Sequence, residues 1–322
     1  MHERGAALLT MLLLVAVMAT VSATALDRLT LATRLTANAA VAGQARQWLG
    51  MAEQLAAVKL EDALAASPDR TTLAAGWLNR AQAIDLPDGG RVVARVSDGG
   101  NCFNLNSLAS RSADGVMIVR TPAVTQFTAL MTAVGIDTGT AQRIAAAAAD
   151  WIDSDNVPLA NGAEDGAYSA SGRVPANASM ADESELFGVA GMTPQVVALV
   201  RPWVCALPDH QLSPININTV TVEQAPLLAM LVPGQMTVEQ ARAAIAQRPA
   251  GGFDSVNAFW KSPVFRGMAL PQEATEQVTV RSNWFRLQAR VANADLAVGQ
   301  VALLAVKDGK VRLVRRQWSL GE

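Results

Sequence analysis

The chain has 322 residues, 51% hydrophobic and 17% charged, with 23 Gly, 14 Pro and a formal net charge of −2. At ~100–200 residues per domain, two or three folded units are expected, and so apolar a composition excludes a disordered chain. No cation excess exists to hold a phosphate backbone, which disfavours a dedicated nucleic-acid binder.

From Gly5 to Leu26 no charged residue occurs, a run of 22 residues where about 20 cross a bilayer core as a helix. Ala23-Thr24-Ala25 also fits the small-residue cleavage site of a secretory signal. Against cleavage there, the leading MHERG is nearly neutral, Glu3 offsetting Arg4, and no proline appears before Pro68. Helical spacing continues through Leu26, Leu29, Trp48, Met51, Leu55 and Val58. The pattern predicts one helix over about residues 6–65, roughly 90 Å long at 1.5 Å per residue, with Gly43 and Gly50 as points of bending.

Beyond Pro68, residues 71–84 read as a short helix, followed by the turn signal Pro87-Asp88-Gly89-Gly90 and an alternating strand over 91–96. Residues 107–210 are mostly helical in pattern. Helices are expected over 127–136 and 140–152, broken at Gly135, and over 193–207. Residues 214–270 form a second small helical unit. Strands return over 278–291 and 298–305, and Asp308-Gly309 signals a hairpin into 311–314. The economical arrangement is α+β: one antiparallel sheet packed on the long helix, with helical units inserted between its strands.

The segment 150–185 holds Asp150, Asp153, Asp155, Glu164, Asp165, Asp182, Glu183 and Glu185 against one base, Arg173. Clustered carboxylates repel unless solvated or bridged, and calcium accepts 6–8 oxygens in flexible geometry. Asp153, Asp155 and Glu164 occupy positions 1, 3 and 12 of an EF-hand-like loop. Val157 and Pro158 then stand at positions 5 and 6, so the segment is not an EF-hand. A solvated acidic loop is the alternative, with Asp182 and Glu185 as a capping box. Glycosidase-like acid/base chemistry would need aromatic platforms, and only Trp151 and Tyr168 lie in the segment.

Two histidines, His2 and His210, and two cysteines, Cys102 and Cys205, exclude Cys/His zinc modules. A serine triad would rest on His210, which sits in a Pro-rich stretch as a loop residue. A Cys205–His210 nucleophile has only proximity in sequence behind it. The pattern from Ile215-Asn216-Ile217-Asn218-Thr219 to Gly251-Gly252-Phe253 resembles a helix-hairpin-helix (SAM-like) unit. Its hairpin, Leu231-Val232-Pro233-Gly234-Gln235, lacks the second glycine that would present amides to a phosphate. Its bases Arg242, Arg248, Lys261 and Arg266 are nearly balanced by Glu223, Glu239 and Asp254, so a protein-packing version is expected. Asn216 and Asn218 read as turn and capping residues, and Phe253, Phe259 and Trp260 as core. A membrane-anchored periplasmic DNA-binding protein is the alternative function, and a secreted hydrolase would require processing after Ala25.

Arg4-Gly5 ahead of Ala6-Ala7-Leu8-Leu9-Thr10 and an apolar run resembles a type IV prepilin leader. Together with CFNLN (102–106), DWIDSD (150–155), GAED (162–165), DESEL (182–186), GMTP (191–194) and ININT (215–219), the chain resembles the K-type minor pseudopilins of type II secretion systems. The resemblance implies a leader over 1–5, a transmembrane helix over 6–26, and helix continuation with first strands over 27–106. It further implies a helical insertion over 107–210, the helix-hairpin-helix-like unit over 211–274 and closing pilin-like strands over 275–322. Cleavage between Gly5 and Ala6 by prepilin peptidase and N-methylation of Ala6 would follow. The family's structural role implies no enzymatic activity and no nucleic-acid partner. Expected instead are the I- and J-type minor pseudopilins, the pseudopilus, and secreted substrates met at its tip, with the chain anchored in the inner membrane and its C-terminal part in the periplasm. Thr10 stands where most pilins carry a glutamate that neutralises the neighbour's N-terminal ammonium. A subunit with nothing above it is better served by a hydroxyl bonded to its own helix. Calcium is implied in the insertion, with Asp153, Asp155, Glu164 and Asp165 as the best-matched acids. In a periplasmic chain Cys102 and Cys205 would pair, two buried thiols being the alternative.

Overall fold

The computed structural model describes residues 2–87, 90–293 and 296–320. Helix α1 (His2–Ala66) is one uninterrupted rod of 65 residues, about 98 Å at 1.5 Å per residue. No proline interrupts its hydrogen-bond ladder, and its threonines stay helical by folding their hydroxyls onto carbonyls one turn back, as Thr30 does to Leu26 at 2.9 Å. It is the one helix among the described residues long and apolar enough to cross a membrane, and from Ala7 its first half is exposed throughout. Burial begins at Ala45 and recurs at Leu49, Ala52, Leu60 and Leu64, a single face by helical spacing.

That face lies on a five-stranded antiparallel sheet of sequential order: β1 (Ala81–Asp85), β2 (Arg91–Asp98), β3 (Trp284–Asn293), β4 (Leu296–Lys307) and β5 (Lys310–Leu320). Alternation puts Phe285, Leu287, Ala289 and Val291 of β3, with Val92, Ala94, Ala302 and Leu304, against α1. Three contacts set the direction of the sheet along the rod. Arg46 lies 5.9 Å over the Trp318 ring. Glu53 is bonded by Arg316 at 2.6 and 2.9 Å and by Gln300, and Glu61 meets Lys310 at 3.0 Å. The Glu53 carboxylate in turn holds the Arg316 guanidinium above its ordinary pKa. The β4–β5 hairpin turns through Asp308 and Gly309, both left-handed, at the end of the sheet nearest the C-terminus of α1.

Residues 99–283 are inserted between β2 and β3, so they leave the sheet at that same end, farthest from the apolar span. The insertion carries α2 (Thr121–Ala133), α3 (Thr138–Asp150), α4 (Asp165–Tyr168), α5 (Pro194–Val200), α6 (Ala225–Ala229) and α7 (Val238–Ala246). Its core, with Phe103 stacked on Phe127 at 4.7 Å and Phe259 against Phe265, shares no buried residue with the helix–sheet core among the described residues. What joins the two is polar. Arg315 of β5 donates to the carbonyls of Ala181 and Ala206 and meets Glu183 at 3.2 Å, while Gln317 bonds Asp182. Asp98, at the end of β2, accepts from Ser282, Thr219 and the Gly100 amide. Cys102 and Cys205 are bonded, their Cα atoms 5.8 Å apart, closing a loop of 103 residues at the base of the insertion. In the chain-entropy view so long a loop is worth about 4–5 kcal/mol. Cys102→Ser with Cys205→Ser is therefore expected to lower the unfolding free energy of the full chain by that scale, read as a lower denaturant midpoint. An unchanged midpoint would show that the packing of the insertion does not depend on the cross-link.

Four sequence expectations are corrected. Residues 71–84 are not a helix: Gly76 and Asn79 adopt left-handed backbone (φ 75° and 60°), leaving one 3-10 turn, and Ala81–Asp85 pairs with β2 as an edge strand. The helix expected over 193–207 stops at Val200, because Pro202 cannot continue it, and Val204–Cys205 pairs instead with Phe103–Asn104. The strand expected over 278–291 is two pieces, since Val278–Thr279 leaves the sheet to pair with Ile215–Asn216. A small hairpin, Ala109–Arg111 with Met117–Val119, interrupts the region read as helical. Of the turn at 87–90, Asp88 and Gly89 lie outside the described residues.

Candidate metal centre

The acidic site begins at the C-terminus of α3. An acid there opposes the helix dipole and needs a local partner. Asp150, fully buried, finds two: it accepts the amide of Ala163 at 2.7 Å and of Leu159 at 3.1 Å, which folds the loop after α3 back over the helix end. The fold-back permits only glycine at 162, where a Cβ would come within 1.9 Å of Asp150 Oδ2. The returning loop carries Glu164 beside Asp153, and an oxygen of each, with one of Asp155, lies within 4.8 Å of the others. Asp155 also accepts the amide of Val157 at 2.8 Å, which fixes its loop. Trp151 packs edge-on against Tyr168 at 5.4 Å, and the Tyr168 hydroxyl accepts the Ala190 amide, tying the loop to the insertion core.

Asp153 is 2% and Glu164 7% exposed. Despite this, Asp153 Oδ1 and both Glu164 carboxylate oxygens have no hydrogen-bond partner among the described residues. Buried carboxylate oxygens without donors are costly, and a cation satisfies them. Burial first, then the charges of Asp155, Asp150 and Glu164, pushes the Asp153 carboxyl up to about 7. Burial, followed by Asp150, Asp155 and Asp165, lifts Glu164 to about 7 as well. Burial also raises Asp150, against the pull of its two amides. An all-oxygen set of three carboxylates suits a hard divalent cation such as calcium. The residues fit such an ion.

Of the four acids singled out from the sequence, three converge. Asp165 does not: it is exposed at the first position of α4, outside the three-acid group. Asp150, which shapes the site, stands in the sequence reading among the eight acids of 150–185 but not among the four candidate ligands. The Thr10 hydroxyl donates to the Ala7 carbonyl at 2.9 Å. Gly5 and Ala6 lie within α1, and their side chains are outside the described residues, as is Met1. His210 is half-buried, its Nδ1 3.2 Å from the Asn106 carbonyl and its Nε2 3.5 Å from the Ser179 hydroxyl, and Cys205 is in the disulfide, so no Cys205–His210 pair forms. Sequence reading missed the part played by the asparagines. Asn104 and Asn106 tie CFNLN to the Leu207–Gln211 loop and to Met180. Asn216 bonds Thr71 and Ser282, and Asn218 bonds both backbone groups of Phe253. In the unit compared with a helix-hairpin-helix, Arg242 pairs with Glu239 and Arg248 donates to the carbonyls of Ile217 and Val220.

A long apolar N-terminal helix laid along an antiparallel sheet defines a membrane-anchored subunit of the pilin class. Family models described as type II secretion system (T2SS), protein K match residues 101–209 and 215–281. The type II secretion system protein K of Pectobacterium carotovorum subsp. carotovorum is 36% identical over 98% of this chain and 97% of its own. The chain belongs to the type II secretion system protein K family. The protein K of Klebsiella pneumoniae is likewise 36% identical, over 82% of this chain and 81% of its own. A chain of the crystal structure of the GspK-GspI-GspJ complex from the enterotoxigenic Escherichia coli type 2 secretion system superposes with a TM-score of 0.75 at 29% identity, covering 86% of this chain and 96% of that one. Membership makes the chain a pseudopilin of a secretion machine, a structural component and not an enzyme. The DNA-binding and hydrolase readings are set aside by it, and the matches lend nothing to a helix-hairpin-helix unit.

Proposed function

We propose that this pseudopilin is the tip subunit of the periplasmic pseudopilus and initiates its assembly with the I- and J-type minor pseudopilins, for export of proteins across the outer membrane. One observation carries the reading: the bulky insertion 99–283 leaves the sheet at the end of α1 farthest from the apolar span, where it would obstruct a further subunit above. Thr10 supports it, because its hydroxyl is satisfied by its own helix and asks nothing of a neighbour. The I- and J-type partners follow from the complex in which the E. coli relative was crystallised. α1 anchors the chain once in the inner membrane, with the remainder in the periplasm, where the pilus tip would meet secreted substrates.

Asp153, Asp155 and Glu164 would hold calcium, which supplies charge neutralisation to the buried carboxylates and braces the insertion. Prepilin peptidase would cut between Gly5 and Ala6 and methylate Ala6. Intact mass of the protein from cells with and without the peptidase tests this. Peptidase-dependent loss of residues 1–5 with gain of one methyl group is expected. Processing after Ala25, or none, would overturn the pilin pathway.

A further inference from the structure

The two sides of β2 and β3 differ in charge. Toward α1 these strands are apolar, with Val92, Ala94, Phe285, Leu287 and Ala289. The opposite side of the same strands carries Arg91, Arg95, Arg286 and Arg290. Register sets their order: Val93 is opposite Arg290, Arg95 opposite Gln288 and Ser97 opposite Arg286. The four arginines therefore alternate between the strands as Arg91, Arg290, Arg95, Arg286. Each stands diagonally to the next, roughly 7–8 Å away, and each step rises two residues, about 6.8 Å along the strands. Arg91, Arg95 and Arg290 are exposed, and so is Val93 between them. The flanks stay low, because Ala83 of β1 lies beside Val93 and Gly299 of β4 beside Arg290.

Carboxylates are scarce along this ladder. Arg91 meets Asp85 at 2.7 Å, an exposed pair that an incoming carboxylate can exchange. Arg95 pairs with no carboxylate among the described residues. Arg286, the top rung, stands where the insertion roofs the sheet over a cavity of ≈ 220 Å³. Its ion-pair distance to Glu183 is 3.7 Å, and its buried Nε has no hydrogen-bond partner among the described residues. A buried donor left unpaired calls for an acceptor.

We propose that the arginine ladder binds an extended acidic segment of another protein, with a carboxylate at every second residue. In an extended chain alternate side chains share one face and repeat every ~6.8 Å, which is the rise from rung to rung. A segment laid along β2 and β3 thus brings one carboxylate to each arginine, the last reaching Arg286 beneath the roof. An α-helix repeats every ~5.4 Å and falls out of step over four rungs. The whole chain has a net charge of −2, so this basic face is a local excess and not a trend of composition. Because α1 covers the other face, subunits joined through α1 leave the ladder facing outward. That placement rests on the pilin reading above, whereas the binding itself does not.

The test uses the full chain in detergent micelles and two labelled peptides of equal length and charge, read by fluorescence anisotropy. One alternates glutamate with threonine; the other carries the same glutamates in a single block. The alternating peptide is expected to bind about tenfold tighter, the scale of two further matched ion pairs. Arg95→Glu with Arg290→Glu, both exposed and away from the joint, is expected to remove that preference and weaken binding about tenfold. Arg312→Glu, on β5 outside the ladder, should change neither. Benzoylphenylalanine in place of Val93 should photo-crosslink the alternating peptide, and in place of Leu55 on α1 it should not. Equal affinity for the two peptides would reduce the ladder to general charge attraction and overturn the proposal. No binding, an equal loss in Arg312→Glu, or an adduct from the Leu55 position alone would overturn it as well. The peptides need no filament, so none of these results touches the pilin reading, which the peptidase-dependent mass decides.

Discussion

Gly162→Ala is expected to unfold the acidic loop and to cost about 3 kcal/mol or more, the upper range for overpacking a buried site. The added methyl would stand 1.9 Å from Asp150 Oδ2 and 3.0 Å from the Leu159 amide nitrogen, so Asp150 would have to leave the two amides that hold the fold-back. A fully buried carboxylate separated from its donors is among the costlier defects a core can carry. Gly166→Ala is the control, since nothing lies within 4 Å of its Cβ in α4. Limited proteolysis of the full chain, read at the loop after α3, separates the two. Equal protection in both variants would show that the loop does not depend on Asp150.

The second large effect couples metal to pH. In the metal-free protein, Asp153 and Glu164 have folded-state pKa values raised from 3.8 and 4.5 to about 7. A raised carboxyl favours folding while protonated, so its contribution is present below the unfolded value and is lost as pH rises through about 7. The metal-free protein is therefore expected to lose stability between about pH 4.5 and 7, opposite in sign to a protein held by paired carboxylates. Calcium binds the deprotonated acids, so its effect grows over the same window; at one hundred times its Kd it contributes about 2.7 kcal/mol. Asp153→Asn with Glu164→Gln should remove both the pH dependence and the calcium response, leaving a metal-free protein more stable at pH 8 than its parent. Thermal scans at pH 5 and pH 8, with calcium or chelator, read all of these. A metal-free midpoint that rises from pH 5 to 8, or no calcium response at pH 8, would contradict the assignment.

These effects lie where the sequence was partly legible. The long helix could be read because an apolar run with no proline for more than sixty residues admits little else, and the last hairpin because Asp308-Gly309 meets the left-handed demand of a two-residue turn. The acids at 153, 155, 164 and 165 came from the family resemblance, spacing alone having failed to make an EF-hand. Asp165 was included because neighbours in sequence cannot be assigned to a face before the fold-back at Gly162 is known. Residues 71–84 were misread because their alanines and leucines favour a helix, while left-handed Gly76 and Asn79 and pairing with β2 decide otherwise. The asparagines of CFNLN and ININT were read through the local habits of the residue type. Their partners, from Thr71 to Ser282, lie tens to hundreds of residues away, and no local pattern carries that information. The same holds for the joint between the two cores. Arg315 and Asp98 look like ordinary strand residues until the insertion is seen to return to the sheet.

That joint gives the tip reading its physical content. A separately packed insertion, cross-linked at its base by a disulfide and held to the sheet by a polar network and an arginine clasp, stays at the far end of the rod and resists being displaced by an incoming subunit. The measurement that tests this most directly is the position of a label on the full chain along assembled pseudopili, by electron microscopy. One label at one end of each filament is expected, together with loss of filaments when the chain is absent. Labels spaced along the filament length would contradict the account, because they would require subunits to stack above the insertion.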